Sequence, residues 1–113
     1  MSDEIMLEGL GVAPGVLETI ATLAAEKVDG VADVSGRGVA GLVQKGAGRG
    51  IAVAVGDDKA LSVQLHLSVK YGIPLRTIAT DVQRTVSDAL LTQTGQKVSA
   101  VDVFIDSIIF PEQ

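Results

Sequence analysis

His66 is the one imidazole in a chain of 113 residues, and it stands on the polar side of an alternating stretch that runs from Leu61 to Tyr71. Histidine changes charge near neutral pH, so it is the first residue to examine for proton transfer, and a contact made through it is expected to be pH-sensitive. Asp102 and Asp106 fall on the polar side of a later alternating stretch. If the two stretches are neighbouring strands, a His–Asp contact forms, and its chemistry is that of a general acid/base pair. Catalysis would also need a nucleophile within reach and a loop that shapes a pocket. Ser68 lies next but one to His66 on the same strand, a poor geometry for activation. The competing reading is an exposed histidine on an open sheet face, and a non-enzymatic protein is the expectation.

Other reactive constellations are thin. With no cysteine, a thiolate metal cluster, a disulfide scaffold and a cysteine nucleophile are excluded. One histidine and scattered carboxylates make a poor metal site, and Asp57-Asp58 reads as turn chemistry. Gly46-Ala47-Gly48-Arg49-Gly50 has the look of a phosphate cradle, but such loops lead into a helix N-terminus, and here a strand pattern follows. No cofactor, metal or small-molecule substrate is expected. Arg37, Lys45 and Arg49 could touch nucleic-acid phosphates, and Gly38-Val39-Ala40-Gly41 spells the GxxG of KH domains. That motif belongs between two helices, the net charge is -5, and one Tyr and two Phe give little to stack bases on. RNA binding through Arg37, Lys45 and Arg49 is therefore the alternative function.

Protein association is better supported. Gln64, His66 and Ser68 share the outward face with Ala52, Ala54 and Ser62, and Phe104 sits between two aspartates. An exposed face holding Ala and Phe, followed by Ile108-Ile109-Phe110-Pro111, is expected to be buried in a partner or another copy. Gln64, His66, Ser68 and Phe104 are the candidate partner-binding residues, with Arg37, Lys45 and Arg49 as candidate loop contacts.

These residues need a scaffold. At about 100–200 residues per domain, residues 1–113 read as one domain. Apolar residues make up 47%, too many for a disordered chain. Residues 5–13 read as a short extended lead-in, with Ile5, Leu7 and Val12 apolar and Gly9 and Gly11 breaking it. Pro14 suits a helix first turn, and Val16, Leu17, Ile20, Leu23, Ala24 and Val28 recur at helical spacing, with Glu18, Thr22 and Glu26 opposite; the pattern predicts a helix over 14–28, stopped by Gly30. Residues 36–50 hold six of the thirteen glycines and read as a flexible Gly-rich loop, with room for a helical turn near Val39–Lys45. Ile51, Val53 and Val55 make a strand, Gly56 to Lys59 a turn, and Leu61 to Tyr71 a long strand, together a hairpin.

Pro74 opens a second helix with Leu75, Ile78, Val82, Val86, Ala89 and Leu90 as its stripe and Gly95 as its stop. Val98, Val101, Val103 and Ile105 give a last strand. Strand, helix, strand implies a right-handed crossover and parallel pairing. The expected fold is α/β: a small two-layer sandwich, a mixed three- to four-stranded sheet with two helices on one face. No apolar run approaches the roughly 18 residues of a membrane span, and the start Met1-Ser2-Asp3-Glu4 lacks the basic and apolar regions of a secretory signal. A cytoplasmic location without membrane insertion is expected.

The order of these patterns resembles a known family. Gly11-Val12-Ala13-Pro14-Gly15-Val16-Leu17-Glu18-Thr19-Ile20-Ala21, with Ala24 and Val28-Asp29-Gly30-Val31, is similar to the opening helix of the alkaline shock protein family of bacterial envelope stress proteins. Val63-Gln64-Leu65-His66-Leu67-Ser68-Val69-Lys70-Tyr71-Gly72-Ile73-Pro74 resembles its central strand, Ile78-Ala79 and Val82-Gln83-Arg84-Thr85-Val86 its second helix, and Val101-Asp102-Val103-Phe104-Ile105 its last strand. The resemblance implies a cytoplasmic, non-enzymatic protein of envelope homeostasis. It also implies self-association and attachment to the membrane through a small membrane-anchoring partner. It brings no catalytic residues. The chain departs from the family at residues 36–50, where a more polar, helix-forming insert is usual.

Overall fold

The computed structural model describes residues 5–7, 10–34 and 50–110. Along the chain run β1 (Ile5–Leu7), β2 (Leu10–Val12), α1 (Pro14–Glu26), β3 (Val31–Val34), β4 (Ile51–Val55), β5 (Leu61–Lys70), α2 (Leu75–Thr94) and β6 (Val98–Ile109). The expected α/β arrangement is present: two helices against one face of a four-stranded mixed sheet. The Gly-rich segment, apart from Gly50, lies outside the described residues.

β5 organises the sheet, for a reason written in its alternation. Leu61, Val63, Leu65, Leu67 and Val69 are buried, while the residues between them face away. β6 runs parallel along one edge of β5, from Leu61↔Val98 to Lys70↔Ile109. The other edge is shared end to end. β4 pairs antiparallel with its first half, Val55↔Leu61 to Ile51↔Leu65, and β3 pairs antiparallel with its second half, Val34↔Leu67 to Val31↔Val69. The turn between β4 and β5 is closed by the Gly56 N–H on the Ala60 carbonyl (2.9 Å) and the Lys59 N–H on the Gly56 carbonyl (2.9 Å). The Asp58 carboxylate accepts the Ala60 N–H at 3.0 Å, the turn role expected of it.

α2 follows its predicted stripe through Ile78, Val82, Val86 and Leu90, all fully buried at i, i+4 spacing. Leu75 was expected in that stripe but is exposed, because it sits in the first turn beyond the edge of the sheet's core. Gly95 ends the helix in the left-handed conformation (φ 79), and its N–H bonds the Leu91 carbonyl at 2.8 Å. Buried Gln96 then donates to the Lys59 carbonyl at 2.8 Å, which ties this end of α2 to the β4–β5 turn.

Three expectations need correction. The predicted helix over 14–28 ends at Glu26, with Lys27 as its cap; Gly30 serves the next turn instead. Its φ of 97 starts β3, and a Cβ there would stand 2.8 Å from the Ile78 side chain. The buried stripe of α1 is Leu17, Ala21, Ala24 and Ala25, with Val28 buried just beyond its cap, so Val16 and Leu23 face out and Thr22 is buried. Alanines on the inner side let the helix approach closely, and that choice turns the larger Val16 and Leu23 outward. Third, residues 5–13 contain not one extended segment but β1 and β2, paired antiparallel as Ile5↔Val12, Met6↔Gly11 and Leu7↔Leu10. β3 is an addition that the sequence reading did not contain.

Candidate interaction surface

With both helices on one side, the other face of the sheet is left uncovered by any described element. β5 places Gln64, His66 and Ser68 on it in succession. Their parallel neighbours on β6 are Asp102, Phe104 and Ser107, and Ala52 on β4 stands opposite Gln64 from the other side. The structure thus brings Gln64, His66, Ser68 and Phe104 onto one surface, three of them on β5 and one on the adjacent strand.

His66 is held twice. Its ring lies against Phe104 with centroids 4.8 Å apart and planes 19° from parallel. Its Nδ1 is 3.0 Å from Asp106 Oδ1, with both side chains a little under half exposed. A neutral ring that donates from Nδ1 keeps its lone pair on Nε2, free for a further contact. Asp102 does not share this role; it lies in register with Gln64. Ser68 is engaged elsewhere: its Oγ is 2.8 Å from Ser107 Oγ.

A bulge creates the second of these contacts. The register passes from Leu67↔Ile105 to Ser68↔Ser107, so Asp106 is an extra residue on β6. Two consecutive residues, Asp106 and Ser107, then reach the same face, one to His66 and the next to Ser68. Strict alternation finds Asp106 but assigns Ser107 to the core side, which is why sequence reasoning missed it. Nothing in the residue types around 105–107 marks the bulge.

The surface is a platform of one imidazole, one phenyl ring, serine hydroxyls, an amide and two carboxylates, bordered by alanines. Its geometry suits stacking and hydrogen bonding to another surface more than enclosure of a small molecule. Among the described residues, no group of three or more His, Asp or Glu is arranged to hold a metal ion. Arg37, Lys45 and Arg49 lie outside the described residues. No described helix is long and apolar enough to cross a membrane.

Comparison with known proteins gives a consistent picture. The model of the alkaline shock protein 23 family, described by a cell envelope-related function, matches residues 3–110. YqhY, an uncharacterised protein of Bacillus subtilis (strain 168), is 31% identical over 103 residues, spanning 88% of this chain and 76% of the relative. Spy1535, an uncharacterised protein of Streptococcus pyogenes serotype M6, is 25% identical over 99 residues, spanning 87% and 77%. Among solved structures, one variant of MamM CTD superposes with a TM-score of 0.52 at 13% identity, covering 82% of this chain and 90% of that one. A second variant gives 0.51 at 15%, covering 82% and 93%. At such identity the likeness concerns the fold alone.

Proposed function

The chain belongs to the alkaline shock protein 23 family, whose function is related to the cell envelope, and from that premise we propose that it is a non-enzymatic interaction module. In this reading copies of the chain associate with one another and dock on a small membrane-anchored protein, at the cytoplasmic side of the membrane. The open sheet face is the docking surface, with Gln64, His66, Ser68 and Phe104 at its centre. One observation carries the reading: no described element covers the outer face of the sheet, and Phe104 at its centre is 43% exposed yet ordered by stacking on His66. Pre-ordered rings lose little rotamer freedom on contact, which favours binding. The polar groups around Phe104 supply direction through hydrogen bonds.

Crosslinking in the native cells, followed by mass spectrometry of what copurifies with the tagged chain, tests this. The expected outcome is capture of the chain's own copies together with a small membrane protein, both lost in Phe104→Asp. Capture of RNA or ribosomal proteins, unaffected by that substitution, would contradict the reading and direct attention to Arg37, Lys45 and Arg49.

A further inference from the structure

Five of the nine large apolar side chains left exposed among the described residues gather at one end of the sheet: Tyr71, Leu75, Ile108, Ile109 and Phe110. The cause is topological. β5 and β6 are parallel, so both release their C-terminal residues at the same end. The Tyr71 N–H donates to the Ile109 carbonyl at 2.9 Å, and the Tyr71 ring stacks on Phe110 with centroids 4.8 Å apart. Beside them an open, mostly apolar recess of about 320 Å³ is lined by Tyr71, Leu75 and Ile108, with Lys70 at its rim.

Among the described residues, the two exposed charges that flank the apolar patch are cationic. The whole chain carries -5. Here Lys70 and Arg76 are both exposed and in no ion pair among the described residues. Lys27 and Asp29 stand in the turn before Gly30, whose carbonyl accepts the Lys70 N–H at 2.7 Å, and they offset each other. Two aromatic rings, aliphatic side chains and flanking Lys and Arg form the composition that settles at a lipid–water boundary. The rings and aliphatics enter the headgroup layer while the cationic ends reach phosphates. A contact with a second copy through this patch would bury Lys70 and Arg76 of both molecules with no carboxylate from the patch itself to pair them. An anionic lipid surface answers the apolar patch and the charges together.

We infer that the Tyr71–Phe110 end of the sheet docks directly on an anionic lipid surface. This goes beyond contact with the membrane through a protein partner and does not depend on it. Because the contact lies at the end of the sheet and the open face lies along it, one molecule can make both.

The test uses the full chain carrying Tyr71→Trp, a reporter in a protein that has no other tryptophan. It is mixed with phosphatidylcholine vesicles, either pure or with about a third phosphatidylglycerol. The expected result is a blue-shifted emission and cosedimentation with the anionic vesicles only, weakened several-fold in about 1 M salt. Adding Phe110→Asp should lower partitioning at least tenfold, roughly the effect of a charge replacing a buried ring. Lys70→Ala with Arg76→Ala should lower it by a comparable factor, at about fivefold per cationic residue. Leu91→Asp, at an exposed apolar position near the opposite end of α2, should leave it unchanged, which separates this end from exposed apolar surface in general. All these positions are exposed, so each variant should retain the parent's circular dichroism. Absence of binding, equal binding to neutral vesicles, or indifference to Phe110→Asp would overturn the inference. So would an altered oligomer mass of Phe110→Asp without vesicles, which would make this end an interface between copies.

Discussion

His66 contacts two β6 side chains at once, the Phe104 ring and the Asp106 carboxylate. Their energetic weight is modest, because a polar contact between exposed side chains contributes roughly 0.2–1 kcal/mol whether or not it is ionic. A double-mutant cycle of His66→Ala and Asp106→Asn, followed by urea denaturation, should give a coupling of about 0.5 kcal/mol. The contact matters more for fixing where the ring and its free nitrogen point. Phe104→Asp removes the stack and leaves carboxylates at positions 102, 104 and 106 of one strand face. Thermal unfolding should show a loss of about 1 kcal/mol, the scale of one cross-strand pair, with the fold retained. The His66–Asp106 contact was legible in the sequence because alternation alone puts both residues on outward faces. The Ser68–Ser107 contact was not, because it depends on a bulge that shifts the register by one residue.

At the scale of elements, β5 and α2 were readable because each repeats its pattern over many residues, ten in β5 and twenty in α2. β3 has four residues and β1 and β2 three each, too short for a period to stand out from the surrounding glycines. α1 was located but turned about its axis. The predicted stripe took in Ala24 but neither Ala21 nor Ala25, whereas in packing alanine marks the side of closest approach. Close approach of α2 to the turn before β3 makes Gly30 a sensitive position. Gly30→Ala must adopt a positive φ and place a methyl group 2.8 Å from Ile78, and should cost about 3 kcal/mol. Gly95→Ala also meets a positive φ but has open space around it, and should cost about 1 kcal/mol. Chemical denaturation of the two variants beside the parent chain checks the difference. Equal losses would mean that α2 does not press on the turn before β3 as described.

For the whole molecule, the decisive feature is asymmetry. One side of the sheet is sealed by α1 and α2, and the other offers a platform that no described element covers. Placement of two helices on one side followed from the order of elements, since the β5–α2–β6 crossover and the preceding α1 had the same apolar surface to share. Which side chains would meet on the bare side followed only in part. At the Tyr71–Phe110 end the run Ile108-Ile109-Phe110 was legible as apolar surface, but its union with Tyr71 and Leu75 was not, because the patch is assembled from the ends of two strands far apart in sequence. A molecule with an associating face and a lipid-facing end can gather copies at a membrane, in keeping with the envelope-related function of its family.

The central claim is that the bare face joins one copy to another. Sedimentation velocity of the parent chain and of Phe104→Asp, run side by side over a range of concentrations, tests it most directly. The account predicts that the parent sediments as assemblies that grow with concentration, and that the variant sediments as a folded monomer. A parent chain that stays monomeric throughout, or a variant that assembles as the parent does, would contradict it.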